Sequence, residues 1–175
     1  MRFPHRLSLT LSALVILAAC ATAQSLVPPD VPAALRPSAG QSLYLEAVAA
    51  GVQVYECSQK PDSSYEWTFK APEASLSDRS GHALGKHYAG PTWESNDGST
   101  VVGEVKAKDP GPSPSAIPWL LLAAKASTGS GTLAATKSIQ RLATAGGLAP
   151  AEPCAGANLN QVVRVPYTAT YYFYR

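Results

Sequence analysis

The sequence contains no apolar run long enough to cross a bilayer. Its uncharged stretch near the N-terminus, Leu7–Ala19, includes three hydroxyl residues and falls short of the about 20 apolar residues that a spanning helix needs. Arg2 and Arg6 precede this stretch, and small residues end it. A basic start, an apolar middle and a small-residue end are typical of an export signal. We therefore expect residues 1–19 to be a signal peptide that is removed.

Cys20 stands directly after the predicted signal peptide. Together with Leu17-Ala18-Ala19 it resembles the lipobox of bacterial lipoproteins, in which the cysteine is alkylated with a lipid and becomes the acylated N-terminus. This pattern predicts lipidation at Cys20 and attachment to a membrane of the cell envelope, on the periplasmic or outer-membrane side. The alternative is ordinary cleavage after Ala21-Thr22-Ala23, which would release a soluble secreted protein.

The mature chain has no excess of either charge. The full sequence carries 14 Lys plus Arg against 12 Asp plus Glu, and Arg2 and Arg6 account for the difference. Removal of the signal peptide would leave a neutral protein whose charges are scattered along the chain. Proteins that bind nucleic acid carry a clustered basic surface, so we expect no nucleic-acid partner.

Cysteine is scarce beyond Cys20. Only Cys57 and Cys154 remain, and an exported protein folds in a compartment where disulfides form. The preferred interpretation is a disulfide between them, which would close a loop of roughly 100 residues. A catalytic or metal-binding cysteine is the alternative, although neither residue has a second Cys or a His close to it in sequence.

Alternation of apolar and polar residues dominates the rest of the chain. The alternating or apolar runs contain β-branched or aromatic residues and are bounded by Gly, Pro, Asn, Asp or Ser, as strands are. Asn96-Asp97-Gly98-Ser99 predicts a tight hairpin turn, because Gly98 tolerates positive φ. The runs are Val52–Cys57, Tyr65–Phe69, Thr92–Glu94, Thr100–Val102, Ile117–Ala124, Val162–Val165 and Thr168–Tyr174. We expect an all-β fold with a single antiparallel sandwich or barrel domain.

Proline sets the N-terminal part apart from this domain. Four prolines lie between Ser25 and Pro37, a composition that keeps a chain extended. We expect residues 20–42 to be a Pro-rich tether and residues 43–175 to form one β-rich domain, which is a normal size for a single core.

One segment of the domain is ambiguous. Thr132–Ala145 is rich in alanine and could form a short helix by propensity. Thr136, Thr144 and the Gly146-Gly147 pair instead favour a strand followed by a turn, which is the preferred interpretation.

Motifs that are specific in combination cover nearly the whole domain. They are Gly51–Cys57, Trp67–Leu76, Gly85–Trp93, Asp97–Ser99, Ile117–Leu122, Ile139–Arg141, Gly146 with Gly147 and Pro150, Cys154, Val165–Ala169 and Tyr171–Tyr174. In this combination the chain resembles domain of unknown function 3455, a family of mostly exported bacterial and fungal proteins. The resemblance implies a single β-rich exported domain. It implies no established activity, and therefore no catalytic residues.

The densest polar cluster of the sequence lies between residues 82 and 97. His87, Glu94 and Asp97 are candidates for a catalytic site, because a carboxylate can orient a histidine that takes up or releases a proton near neutral pH. His82, Tyr88 and Trp93 are candidates for ligand binding. The alternative is a polar turn with packed aromatic residues, since side chains 82 and 87 would face opposite sides of one strand. No metal site is predicted.

Aromatic residues offer a second kind of site. We expect two or all three of Trp67, Trp93 and Trp119 to fill the interior of the sheet, because Trp is buried more often than it binds a ligand. Trp93 as a platform for a sugar or another ring is the alternative. Tyr171–Tyr174 should close the sheet with an aromatic ladder, and a ligand-binding face there is the alternative.

These patterns together favour an exported lipoprotein that acts as a non-enzymatic binding or envelope-structural module. Its ligand would be an unknown small molecule, glycan or protein, and no cofactor is predicted. The alternative is a hydrolase or metal-dependent enzyme that uses His87, Glu94 and Asp97. A serine hydrolase has no support, because the sequence lacks a Gly-x-Ser-x-Gly nucleophile elbow.

Overall fold

Eight antiparallel strands build the fold. The computed structural model describes residues 26–175. The strands are β1 (Leu43–Gln59), β2 (Tyr65–Ser77), β3 (Ala83–Tyr88), β4 (Thr92–Ser95), β5 (Thr100–Asp109), β6 (Trp119–Thr128), β7 (Ser138–Gly146) and β8 (Val162–Tyr174). Each strand pairs with the next, and β8 pairs with β1, so the sheet closes into a barrel. The all-β prediction is confirmed.

Two predictions from the N-terminus lie outside the described residues. They are the signal peptide, residues 1–19, and the lipidation site Cys20. Both remain predictions, as does the location in the cell envelope. Between residues 26 and 175, no helix has the length and apolar character that a membrane span requires.

The alternation of side chains along the strands decides what fills the barrel. On β8, Tyr167, Ala169, Tyr171 and Phe173 are buried in the interior core. On β7, Ile139 lies opposite Phe173 and belongs to the same core. Because successive side chains of a strand point to opposite faces, this register also directs Arg141, the partner of Tyr171, into the barrel.

The connecting loops alternate between the two ends of the barrel, because neighbouring strands run antiparallel. We call one end the open end; its loops are 60–64, 89–91, 110–118 and 147–161. The opposite end, which we call the closed end, carries loops 78–82, 96–99 and 129–137. The start of β1 and the end of β8 also meet there, through hydrogen bonds between Ser42 and Arg175.

A short helix near 132–145 does not form. Residues 132–135 make turns, and Ser138–Gly146 is strand β7. The helical propensity of the alanines is outweighed by pairing of β7 with β6 on one edge and β8 on the other, which satisfies its backbone groups. Both faces of β7 are also covered, since Ile139 packs inside the barrel and Leu142 packs outside it.

Part of the predicted Pro-rich tether lies on the outer face of the barrel. Ala33–Leu35 forms a 3₁₀ turn, and Val31 and Leu35 are buried against Leu142 in a second core. Gln140 fastens this segment, because its Nε2 donates to the Leu35 carbonyl oxygen at 2.7 Å and its Oε1 accepts from the Tyr174 hydroxyl at 2.7 Å. From Val31 to Leu35 the chain is therefore packed rather than free of the domain.

The two cysteines of the domain form the expected disulfide. Cys57 at the end of β1 is bonded to Cys154 in loop 147–161, with a Cα–Cα distance of 5.4 Å. The indole nitrogen of Trp67 donates to the Glu152 carbonyl oxygen at 2.8 Å. Both contacts fasten the longest loop of the open end to the barrel wall.

The expectation that two or all three tryptophans fill the interior is wrong. Only Trp93 lies in the interior core, where it is 1% exposed. Trp67 lies beside loop 147–161, and Trp119 packs on the outer face beneath the N-terminal segment. The barrel buries aromatic residues both in its interior and beneath the N-terminal segment on its outer face. The sequence pattern does not distinguish these two locations.

Candidate functional site

A cavity of about 590 Å³ opens inside the barrel at the open end. Three rings form one of its walls. The His87 imidazole is stacked on the Trp93 indole at a centroid distance of 4.3 Å. The Tyr171 ring meets both edge-on, at 5.0 Å from His87 and 5.2 Å from Trp93. The volume falls within the range of about 300–1,000 Å³ that is usual for small-molecule sites.

Strand register brings these three rings together. His87 on β3 and Trp93 on β4 are direct cross-strand partners, so their side chains lie side by side on the inner face. The indole also needs space from the next strand, where Gly103 stands. A Cβ at this position would lie 2.9 Å from Trp93 Cζ3, so a larger residue there would displace the ring.

His87 is neutral in this environment. Burial lowers its pKa to about 3, although the hydrogen bond to Thr92 acts in the opposite direction. A carbonyl oxygen only accepts hydrogen bonds, so Nδ1 carries the proton and donates to the Thr92 carbonyl oxygen at 2.8 Å. The remaining ring nitrogen, Nε2, is then a hydrogen-bond acceptor on a ring that lines the cavity.

The charges around the cavity are all positive. Arg141, Lys70 and Lys108 belong to its lining, and no lining residue is acidic. Arg141 donates from Nε and Nη2 to the carbonyl oxygen of Pro118, at 3.2 and 2.9 Å. Within residues 26–175 no carboxylate forms an ion pair with it.

Buried hydrogen-bond donors without a protein partner also border the cavity. Gln53 is 2% exposed, and its Nε2 finds no acceptor among the described residues. The same is true of Trp93 Nε1. A buried donor that lacks a partner costs about 1–3 kcal/mol, so such groups in a cavity wall mark positions where water or a ligand supplies the acceptor.

The predicted catalytic residues His87, Glu94 and Asp97 do not share a pocket. His87 faces the interior, whereas Glu94, the neighbour of Trp93 on β4, points to the outer face. There it accepts from the Tyr88 hydroxyl at 2.8 Å and pairs with Lys86 Nζ at 3.2 Å. The Tyr88 hydrogen bond, followed by Lys86, lowers the pKa of Glu94. Asp97 lies in the turn between β4 and β5 at the closed end.

Asp97 fastens the closed end. Its carboxylate accepts from the backbone nitrogen and hydroxyl of Ser99 and from the same two groups of Thr132. These bonds, with that of Ser99 first, hold the pKa of Asp97 far below its usual range. Ser99 Oγ also accepts from the Leu133 backbone nitrogen at 3.0 Å. Leu133, 2% exposed, is thereby held in the interior core, so the role of Asp97 in the structure is to connect two loops.

The predicted ligand-binding residues are also separated. His82 is exposed in loop 78–82, with its Nδ1 at 2.9 Å from Asp78 Oδ2. Tyr88 lies on the outer face, where Lys86 Nζ is 5.6 Å from the centre of its ring. Of His82, Tyr88 and Trp93, only Trp93 lines the cavity. Among the described residues, no three His, Cys, Asp or Glu side chains gather in an arrangement that could hold a metal ion.

Comparison with known proteins supports the family resemblance. A model of the family described as "Protein of unknown function (DUF3455)" matches residues 37–175. The chain belongs to this family. No match was found among curated proteins or among solved structures.

Sequence reasoning missed the residues that give this DUF3455 barrel its polar cavity wall, namely Gln53 and Arg141. Both stand at inward positions of strands, β1 and β7, and each is followed by a buried apolar residue, Val54 and Leu142 respectively. A polar residue at a strand position where the alternation predicts an apolar one can indicate a polar group inside a barrel. On β7 both faces of the strand are covered, so the sequence alone does not show which face of β7 points into the barrel.

Proposed function

We propose that this protein is an exported module that binds a small, largely apolar molecule in the cavity at the open end of its barrel. The observation that carries the proposal is the cavity itself, with its wall of stacked rings and its buried donors. Eight-stranded barrels have interiors wide enough to hold one small ligand. Apolar and aromatic walls with a few fixed polar groups are the usual composition of such sites.

Binding rather than catalysis is favoured by the chemistry of the lining. Burial lowers the pKa of His87 to about 3, so near neutral pH the ring is uncharged and only a weak base. The two carboxylates that could have assisted it, Glu94 and Asp97, are engaged elsewhere in the fold. Export and lipid attachment at Cys20 rest on the N-terminal sequence pattern, and they would place this binding site in the cell envelope.

The proposal is tested with an uncharged aromatic probe, 2-naphthylmethanol, by titration calorimetry and thermal unfolding. One molecule should bind per chain, and a probe concentration of 100 times Kd should stabilise the fold by about 2.7 kcal/mol. Leu120 lines the cavity, so Leu120→Trp should fill part of it and weaken binding at least tenfold.

The control places the same side chain elsewhere on the same strand. Ala126 is exposed near the end of β6, and Ala126→Trp should leave binding unchanged. Equal binding by both variants, or no binding of the probe by the native protein, would contradict the proposed site.

A further inference from the structure

Arg141 is a charge inside the barrel that the protein itself does not neutralise. The side chain is directed inward beside Tyr171, which is fully buried. Its partner in the structure is a neutral carbonyl oxygen, that of Pro118. An arginine has five N–H donors in a fixed planar fork and stays charged at all physiological pH values. The side chain is partly buried, and a charge that is partly withdrawn from water favours an opposite charge beside it.

The other charged residues that line the cavity are also basic. Lys108 and Lys70 stand at the mouth of the cavity, and only Lys70 has an ion-pair partner in the described part of the chain, Glu56 at 3.1 Å. Gln53 adds a buried amide nitrogen that is free to donate. The lining therefore offers a cationic fork, which suits the two oxygen atoms of a carboxylate, and a further donor in the same cavity.

The mouth of the same cavity is apolar and exposed. Phe69 is 48% exposed and Val105 is 39% exposed, and both line the cavity. Large apolar residues at the rim of a pocket are expected where they contact the apolar part of a ligand. Arg141 is less exposed than either of them and stands beside the fully buried Tyr171. The site therefore offers a charged group next to apolar side chains.

We propose that the ligand is a carboxylic acid with an apolar or aromatic body, bound with its carboxylate on Arg141 and its body towards Phe69 and Val105. This inference rests on the proposed binding function and specifies the ligand class and its orientation. Gln53 is the second group expected to donate to the carboxylate. Lys108 contributes attraction at the mouth without direct contact.

The test compares two probes that share one ring system, 2-naphthoate and 2-naphthylmethanol, at neutral pH. By titration calorimetry the native protein should bind the acid at least tenfold more tightly than the alcohol. In Arg141→Gln this preference should fall to less than twofold, with the affinity for the alcohol retained. Gln53→Met should reduce the affinity for the acid at least threefold, a measurement that remains available if Arg141→Gln does not fold.

Two variants separate this mechanism from a general charge effect. Lys125 is exposed on the outer face of β6, so Lys125→Gln removes the same charge away from the cavity and should leave the preference unchanged. Phe69→Ser should lower the affinity for both probes by a similar factor, because it removes a contact with the ring system that they share.

Three results would overturn the inference. Equal affinity of the native protein for the acid and the alcohol would support a binding cavity but refute recognition of a carboxylate. If the preference for the acid persists in Arg141→Gln and disappears in Lys108→Gln, then Lys108 rather than Arg141 recognises the carboxylate. Failure of both probes to bind would overturn the proposed function together with the inference.

Discussion

Loss of the Cys57–Cys154 disulfide should remove a large part of the stability of this barrel. The bonded residues are separated by 97 positions, so the cross-link restricts most of the unfolded domain. In the chain-entropy model a loop of about 100 residues corresponds to about 4.7 kcal/mol at 25 °C. Domains of this size are stable by only about 5–15 kcal/mol in total.

We expect the double variant Cys57→Ala with Cys154→Ala to lose about 4–5 kcal/mol of unfolding free energy. Urea unfolding followed by far-ultraviolet circular dichroism measures this loss. The slope of the transition should rise, because the unfolded chain without its cross-link exposes more surface. Chemical reduction of the native protein should lower its stability by a similar amount.

A loss below about 1 kcal/mol, far less than the loop model requires, would refute this reasoning. It would mean that the unfolded chain is already compact, or that the other contacts of loop 147–161, such as Trp67 with Glu152, hold it in place. Trp67→Phe in the background of the double variant distinguishes these cases. It should add a further loss only if that contact has taken over the role of the disulfide.

Three other predictions concern the N-terminus, the segment on the outer face and the closed end. Cys20→Ala should abolish lipid labelling and membrane retention in cell fractionation; retention equal to the native chain would refute lipidation. Gln140→Met should cost about 2–6 kcal/mol in urea unfolding, because it leaves two groups unpaired at about 1–3 kcal/mol each, whereas Tyr174→Phe should cost less. Hydrogen bonds from Ser99 first, and then from Thr132, lower the pKa of Asp97 in the folded state. The carboxylate therefore stabilises the fold above the ordinary Asp pKa of about 4, and this stabilisation is lost as the pH falls below that value. Asp97→Asn should therefore reduce stability at pH 7 more than at pH 3, and an equal reduction at both would contradict that role.

The strands were predictable because local pattern and tertiary structure agree in them. Alternation on β1 and β8 and the Gly98 turn between β4 and β5 all correspond to elements of the barrel. Gly98 has a φ of 81°, the conformation for which the turn needs glycine. The disulfide was predictable for a different reason, since only two cysteines remained to be paired.

The site was less predictable because it depends on register. His87, Glu94 and Asp97 are close in sequence, but His87 and Glu94 lie on opposite faces of the sheet and Asp97 lies at the other end of the barrel. Conversely, Gln53 and Arg141 are far apart in sequence and line one cavity only because β8 pairs with both β1 and β7. One residue of difference in either register would turn a side chain from the cavity to the outer face.

Polarity changes along the barrel axis, and this division explains how one interior can be both stable and able to bind. Towards the closed end, Leu133, Ile139 and Phe173 are buried in the interior core; their burial stabilises the fold without leaving polar groups to satisfy. Towards the open end, the interior contains the Arg141 charge and the buried Gln53 Nε2, which lacks an acceptor among the described residues and reduces stability in the free protein. A ligand that supplies acceptors to these groups removes an unfavourable free energy that is already present in the free protein. The two ends of the interior therefore differ in role: the closed end stabilises the fold, and the open end holds the groups that we propose to bind the ligand.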